Sequence, residues 1–364
     1  MLNMSLDSTQ SRLQSDLKEL AIRLRKYARE AEEAGDVPAA VRTELMSFGL
    51  PGTDGFASGT DDPVSFCLAA ESLAWSDAGI AYAWLASRQV AWIISACGTD
   101  SQKSKWLPRF AQDPFMPASL YMYEGHGFAA SEVATEIRRN RDKLLINGYK
   151  SPVMYPKNAA VSVIVGHDES GSLAAVLTED LGSAVTFNTG EPLRRLGMTA
   201  CPSALEARIA NLAMPASAAL SSDSLLQALT TCRMAHAAVC IGTAAAATRY
   251  AAEYAKTRVA FGKPIIGFQG VSFVLTDLFI EAEALHLSVL EAVTADVPPQ
   301  EREQMASRVM AATNQLVADS SREGVQIMGA AGILMEHPQE RVYRNAPILG
   351  SIDFDPLHSE LALR

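Results

Sequence analysis

A chain of 364 residues is long enough for two or three domains with substantial cores. Its hydrophobic fraction of 48% comes largely from alanine, leucine and valine, with only 7% aromatics, which points away from a β-sandwich and towards helix-rich packing. A net charge of −10 argues against a general nucleic-acid surface, and no uncharged apolar run reaches membrane-spanning length.

The N-terminus, MLNMSLDSTQSRLQSDLKEL, is polar where a signal peptide needs an apolar stretch, so a cytoplasmic protein is expected. From Leu13 through Leu17, Leu20 and Leu24 to Tyr27, apolar residues recur at alternating four- and three-residue steps and predict an amphipathic opening helix. Further helices are predicted at 39–48, 64–75, 79–97 and 101–110, each set off by Gly, Pro or Asp. Residues 1–114 therefore read as an N-terminal helical domain.

Residues 115–215 read as a small β domain. Ile146-Asn147-Gly148-Tyr149 predicts a hairpin turn, and Val161 to Val165 is a β-branched run that stops at the turn residues Asp168, Ser170 and Gly171. After Pro215 no proline appears until Pro264, and the alanine-rich interval Met234 to Ala255 predicts a long helix. Helices at 268–295 and 300–328 follow, making 216–364 a second helical domain. Five cysteines (Cys67, Cys97, Cys201, Cys232, Cys240) lack CxxC spacing, and six histidines are scattered, so neither a disulfide framework nor a metal is assigned.

Two segments carry chemistry. In Glu253 to Gln269, EYAKTRVAFGKPIIGFQ, Arg258 closes a long helix, Gly262 and Pro264 break it, and Gln269 opens the next. Taken alone this is an ordinary helix end whose cation complements the dipole. In Gln326 to Arg344, QIMGAAGILMEHPQERVYR, Gln326 and Gly329 read by themselves as a helix ending on a glycine cap. Asp353, nine residues beyond Arg344, reads by itself as a solvated turn residue of Ile352–Pro356.

Together these strings resemble the two flavin-contacting signatures of the acyl-CoA dehydrogenase family, and the order helical, β, helical matches its architecture. The resemblance covers nearly the whole chain and implies an α+β, mostly α fold: an N-terminal helical domain, a central small β-barrel and a C-terminal four-helix bundle. It implies FAD as cofactor, with Arg258 on the pyrophosphate, Phe261 and Gln269 nearby, and Gln326 and Gly329 beside the dinucleotide, all serving the flavin of a neighbouring subunit. Ala330 replaces the family's second glycine and narrows the gap.

The family's reaction is α,β-desaturation of an acyl thioester on coenzyme A or a carrier protein. A carboxylate takes the α-proton while the β-hydrogen leaves as hydride to the flavin, and an electron-transferring flavoprotein is the usual acceptor. By the resemblance Asp353 is the base, one methylene shorter than the family's Glu. Arg233 lies near the substrate, and Cys232 occupies the site of an alternative base, though on an alanine-rich helix it reads as inert core. Met122, Tyr123, Val153 and Met154 would line this chain's own flavin ring.

Here the sequence departs from the family. T-E-P-x-x-G-S-D becomes Tyr123-Glu124-Gly125 with Ser131-Glu132 two residues late, Lys150 is followed by SPVMY, and E-G-T becomes Asp353-Phe354-Asp355. The residues that would serve an adjacent subunit are kept, and those for the chain's own ring and substrate are altered. The pattern suggests one subunit of a hetero-oligomer, within the tetramers usual for the family, whose partner supplies the catalytic half. Heteromeric members acting on steroid side-chain thioesters look like this, and DDPVSFCLAAESLAWSDAGIAYAW resembles that branch. Three other readings stay open: a self-contained dehydrogenase with Asp353 as base, a flavin oxidase of the nitroalkane-oxidase type, and a catalytically silent structural subunit.

Overall fold

The computed structural model describes residues 5–51, 62–124, 133–155, 158–188, 197–201, 203–204 and 206–353. The chain opens with α1 (Ser8–Leu24), extended by a 3₁₀ turn through Tyr27, then α2 (Ala28–Ala34) and α3 (Ala39–Phe48). Asp7 starts α1 with a reciprocal capping box to Gln10, which satisfies two end groups at once. Gly49 ends α3 at φ 77°, a left-handed cap suited to glycine. After α4 (Pro63–Leu73), α5 (Ala78–Cys97) is buried along nearly its whole length, and α6 (Asp100–Gln112) closes the helical part.

A sheet follows, from β1 (Ala118–Tyr121), β2 (Glu136–Asn140), β3 (Lys143–Lys150), β5 (Val161–His167), β6 (Leu173–Thr178), β7 (Val185–Asn188) and β9 (Glu206–Pro215). The strand order is β1-β5-β2-β3-β9-β7, with β6 against β5, while β4 (Val153–Met154) and β8 (Ser203–Ala204) form a separate ribbon.

The predicted turn at Asn147-Gly148 is instead strand, inside β3. The β2–β3 turn falls at Arg141, φ 57°, and Asp142. Gly148 marks a shift in the β3–β9 register, and a Cβ there would lie 2.3 Å from Thr135 Oγ1. Its glycine serves close approach rather than a turn. The turn at Asp168, Ser170 and Gly171 does form, with Asp168 Oδ1 accepting from Ser170 N at 2.8 Å.

The C-terminal part consists of α7 (Leu225–Thr257), α8 (Gln269–Thr294), α9 (Pro299–Met328) and α10 (Gln339–Ile352). Between α7 and α8 the short strands β10 (Val259–Ala260) and β11 (Lys263–Pro264) make a tight hairpin. α7 is the central packing element, in contact with α4, α5, α8, α9 and α10. Its small residues permit this: a Cβ on Gly242 would lie 2.1 Å from the Glu71 carbonyl of α4. No helix among the described residues is long and apolar enough to cross a membrane.

Candidate flavin and substrate site

Arg233 lies on the third turn of α7, Ser307 on α9, and Asp353 caps the end of α10. Arg233 Nε donates to Asp353 Oδ2 at 2.6 Å, and its Nη1 donates to Ser307 Oγ at 3.2 Å. The Asp353 side chain is 0% exposed and that of Arg233 4%, so the solvated-turn reading of Asp353 does not hold. Burial pulls the Arg233 pKa down, but the charge and hydrogen bond of Asp353 outweigh it and raise it above the ordinary value. An opposite charge this close compensates the burial of the carboxylate.

Tyr123 and Tyr82 complete the surroundings. Burial pushes both phenols well up, reinforced at Tyr123 by Asp353 and at Tyr82 by Cys201, Cys240 and Asp353. Gln89 on α5 donates from Nε2 to the Cys232 carbonyl on α7 at 3.1 Å, stitching the two helices together. The Cys232 thiol is fully buried and its pKa raised by desolvation, so it is core and no nucleophile. One turn on, burial holds His236 down to about 3, and its ring meets the Tyr82 ring edge-on at 5.4 Å.

A second pair, a buried Lys150 and a part-buried Glu124, anchors the strand ends. Lys150 Nζ donates to Glu124 Oε1 at 2.6 Å and to the Met122 carbonyl at 3.2 Å. Burial lowers Lys150 to about 8, against the opposing charge of Glu124. Glu124 also accepts from Ala134 N at 2.7 Å and from Thr135 Oγ1 at 2.7 Å, which fixes the backbone around Met122 and Tyr123. Met122, Tyr123, Val153 and Met154 are all buried.

The other five predicted residues lie elsewhere. Arg258 caps α7, and Phe261, at φ 50°, is 98% exposed on the hairpin tip. Gln269 opens α8, whose first turn has no side-chain cap. Gln326 and Gly329 are exposed at the end of α9, where Gly329 has φ 57° and open space at its Cβ position. A cation, an exposed ring, an uncapped helix start and an open glycine fit the pyrophosphate and base of a dinucleotide. Along α7, 25 residues separate Arg233 from Arg258, about 37 Å at 1.5 Å per residue. Along α9, Ser307 and Gln326 are 19 residues apart, about 28 Å.

Tyr82, Gln89 and His236 escape sequence reasoning, because α5 and this part of α7 are apolar nearly all round and no periodicity marks the facing side. Lys150 and Glu124 stand out in sequence as departures, without a sign that they pair. Gly125, Ser131, Glu132, Phe354 and Asp355 lie outside the described residues.

The family profile of the acyl-CoA dehydrogenase N-terminal domain matches residues 8–113, and that of the C-terminal domain matches residues 223–352. The chain belongs to the acyl-CoA dehydrogenase family. It is 24% identical over 366 residues to the probable acyl-CoA dehydrogenase YngJ of Bacillus subtilis, covering 96% of this chain and 95% of that one. Butyryl-CoA dehydrogenase from Megasphaera elsdenii superposes with a TM-score of 0.80 at 24% identity, covering 99% of this chain and 98% of that one. A glutaryl-CoA dehydrogenase from Mycobacterium smegmatis, solved with FADH2, gives a TM-score of 0.81 at 21% identity, with 98% and 93% coverage. The acyl-CoA dehydrogenase fold is thereby established, with its curled sheet between two helical parts, and FAD is the cofactor of the family.

Proposed function

We propose that this acyl-CoA dehydrogenase takes part in FAD-dependent α,β-desaturation of an acyl thioester as one subunit of a heteromer. In this reading it lends Arg258, Phe261, Gln269, Gln326 and Gly329 to a flavin whose ring is held by a partner chain. The observation that carries the proposal is that Asp353, in the position of the family's base, is buried in an ion pair with Arg233, while Arg258, about 37 Å along α7, stands at an exposed helix end.

When bound, FAD would accept the hydride from the β-carbon. Arg258 would balance pyrophosphate charge, and the uncapped start of α8 would add its dipole. Asp353, neutralised by Arg233 and closed off from solvent, is in this reading a structural counter-ion rather than the base. Exposed Phe273, Ile280 and Leu287 recur at seven-residue steps along α8 and offer an apolar face for assembly into a tetramer. The likeness to heteromeric enzymes of steroid side-chain thioesters makes that substrate class the first to test, with an electron-transferring flavoprotein as acceptor.

The test is flavin counting. Co-expressed with its partner, the chain is expected in a complex holding fewer FAD than chains, and Arg258→Gln in this chain should lower the flavin content. If the chain alone binds one FAD per subunit and desaturates an acyl thioester, and Asp353→Asn abolishes this, the reading is wrong.

A further inference from the structure

Arg25, in the 3₁₀ turn that extends α1, and Arg341, in the first turn of α10, line one cavity together with Asp77, Tyr250 and Gln339. Both guanidiniums are only partly engaged. Arg25 donates from Nε and Nη2 to the Trp75 carbonyl at 3.1 and 3.0 Å, and Arg341 donates from Nε to Asp77 Oδ2 at 2.8 Å. Among the described residues, Nη1 of Arg25 and both Nη atoms of Arg341 have no hydrogen-bond partner. Asp77 is the one carboxylate among the described lining residues, and its other oxygen accepts from the amides of Gly79 and Ile80 at 2.8 and 3.3 Å. Two guanidiniums against one carboxylate leave the cavity with positive charge in excess. Burial first, then Arg341, outweigh the opposing Tyr250 and hold the Arg25 pKa below its ordinary value.

Gln339 is an independent sign of a ligand. It is 0% exposed, and neither its Oε1 nor its Nε2 has a hydrogen-bond partner. A buried carboxamide left in this way is costly unless a group from outside the chain meets it. Gln339 also opens α10, whose cap residue Pro338 makes no side-chain bond to that helix end, and an uncapped start favours negative charge. Glu340 in the same turn is bonded to Arg29 and Arg344 and does not line the cavity. About 20 Å³ is open to the centres of water-sized atoms, more than one water requires and enough for the clustered oxygens of a small ion. Half-buried Tyr250 and Val342 lie at its edge, where such an ion can enter.

We propose that this cavity is a binding site for a small oxyanion, hydrogen phosphate by its chemistry, held between Arg25 and Arg341. The unprotonated oxygens of the ion accept from the two guanidiniums and from Gln339 Nε2, while its hydroxyl donates to Gln339 Oε1. Sulfate, which has no hydroxyl, leaves that carbonyl unanswered. The bound ion joins the end of α1 and the start of α5 to α7 and α10. Arg258, Phe261, Gln269, Gln326 and Gly329 do not line this cavity, so the inference stands apart from the flavin-lending reading.

The test is isothermal titration calorimetry of the full-length chain with potassium phosphate near neutral pH, chloride keeping the ionic strength constant, and urea unfolding of every variant alongside. Saturable binding is expected with a dissociation constant of about 1 mM or below, and sulfate should bind at least about threefold more weakly. Arg25→Gln should weaken phosphate binding at least about tenfold and Gln339→Leu at least about threefold. Arg12→Gln removes the same charge from an exposed part of α1 and should leave the affinity within about twofold. Should Arg25→Gln lose cooperative unfolding, Gln339→Leu decides alone. Neither adenosine 3′,5′-bisphosphate nor FAD should displace the ion from so small a cavity; displacement by either would assign the site to a cofactor's phosphates and overturn the proposal. It is equally overturned by the absence of saturable phosphate binding up to about 20 mM, or by binding that the folded variants at Arg25 and Gln339 leave unchanged.

Discussion

Asp77 serves two helices with its two carboxylate oxygens. Oδ1 caps α5 by accepting from Gly79 N at 2.8 Å, while Oδ2 accepts from Arg341 Nε of α10 at 2.8 Å. Both side chains are at least nine-tenths buried. Asp77→Asn keeps the cap but leaves Arg341 without its counter-charge, and is expected to cost about 3 kcal/mol. Asp77→Ala loses the cap as well and should cost about 1 kcal/mol more. Urea unfolding of the two variants checks the difference; equal losses would show that the cap contributes nothing.

The Arg233–Asp353 pair should behave as a unit. Asp353→Asn strands a buried guanidinium and is expected to destabilise by about 3–5 kcal/mol, and Arg233→Met strands the carboxylate with a similar loss. The double variant should recover at least about 2 kcal/mol relative to the sum of the two single losses. Additive losses would mean that the pair is not coupled.

His286 on α8 joins α4 through Nδ1 to Glu71 Oε2 at 2.6 Å. Burial lowers its pKa, but the hydrogen bond and charge of Glu71, with Glu283, outweigh burial and the opposing Lys18, so the net shift is upward. Because the folded-state pKa exceeds the unfolded one, the contribution is complete below the ordinary value and lost as pH rises through the folded value. The urea midpoint of the wild type should therefore fall more than that of His286→Gln between about pH 6 and about pH 8.5. Identical pH dependence in both proteins would remove His286 from the explanation.

Gly324 on α9 makes room for the buried carboxamide of Gln339 on α10. A Cβ at Gly324 would lie 1.8 Å from Gln339 Nε2. Gly324→Ala should cost about 1–3 kcal/mol through overpacking. Adding Gln339→Ala should return most of that loss, and a double variant no more stable than Gly324→Ala would place the strain elsewhere.

Much of the helical layout is legible in sequence because it follows from local rules. The span 39–48 is bounded by Pro38 and Gly49, and the stretch without proline after Pro215 yields the 33-residue α7. Local rules fail at Asn147-Gly148, where strand pairing and the approach of Thr135 override a strong turn dipeptide, while the turn itself forms on the less distinctive Arg141-Asp142. The site divides in the same way. Arg258, Phe261 and Gln269 sit on one contiguous string, so their nearness is written in the chain. Arg233 and Asp353 are 120 residues apart, and sequence marks each without showing that they bond. Tyr123 reads as a candidate flavin contact, yet only packing reveals that its ring is enclosed.

The charged ring at the start of α10 has a mechanical meaning. Arg29 and Arg344 each bond to Glu32 and Glu340, and with Arg341–Asp77 they fasten the first half of the helix to the N-terminal helices. Arg233 fastens the other end through Asp353. Fourteen residues make a rod about 21 Å long, pinned at both ends by ionic joints. Arg29 and Glu32 on α2 are thus joined through one helix to Asp353, with Pro347 inside it as the one place where the rod lacks a backbone donor.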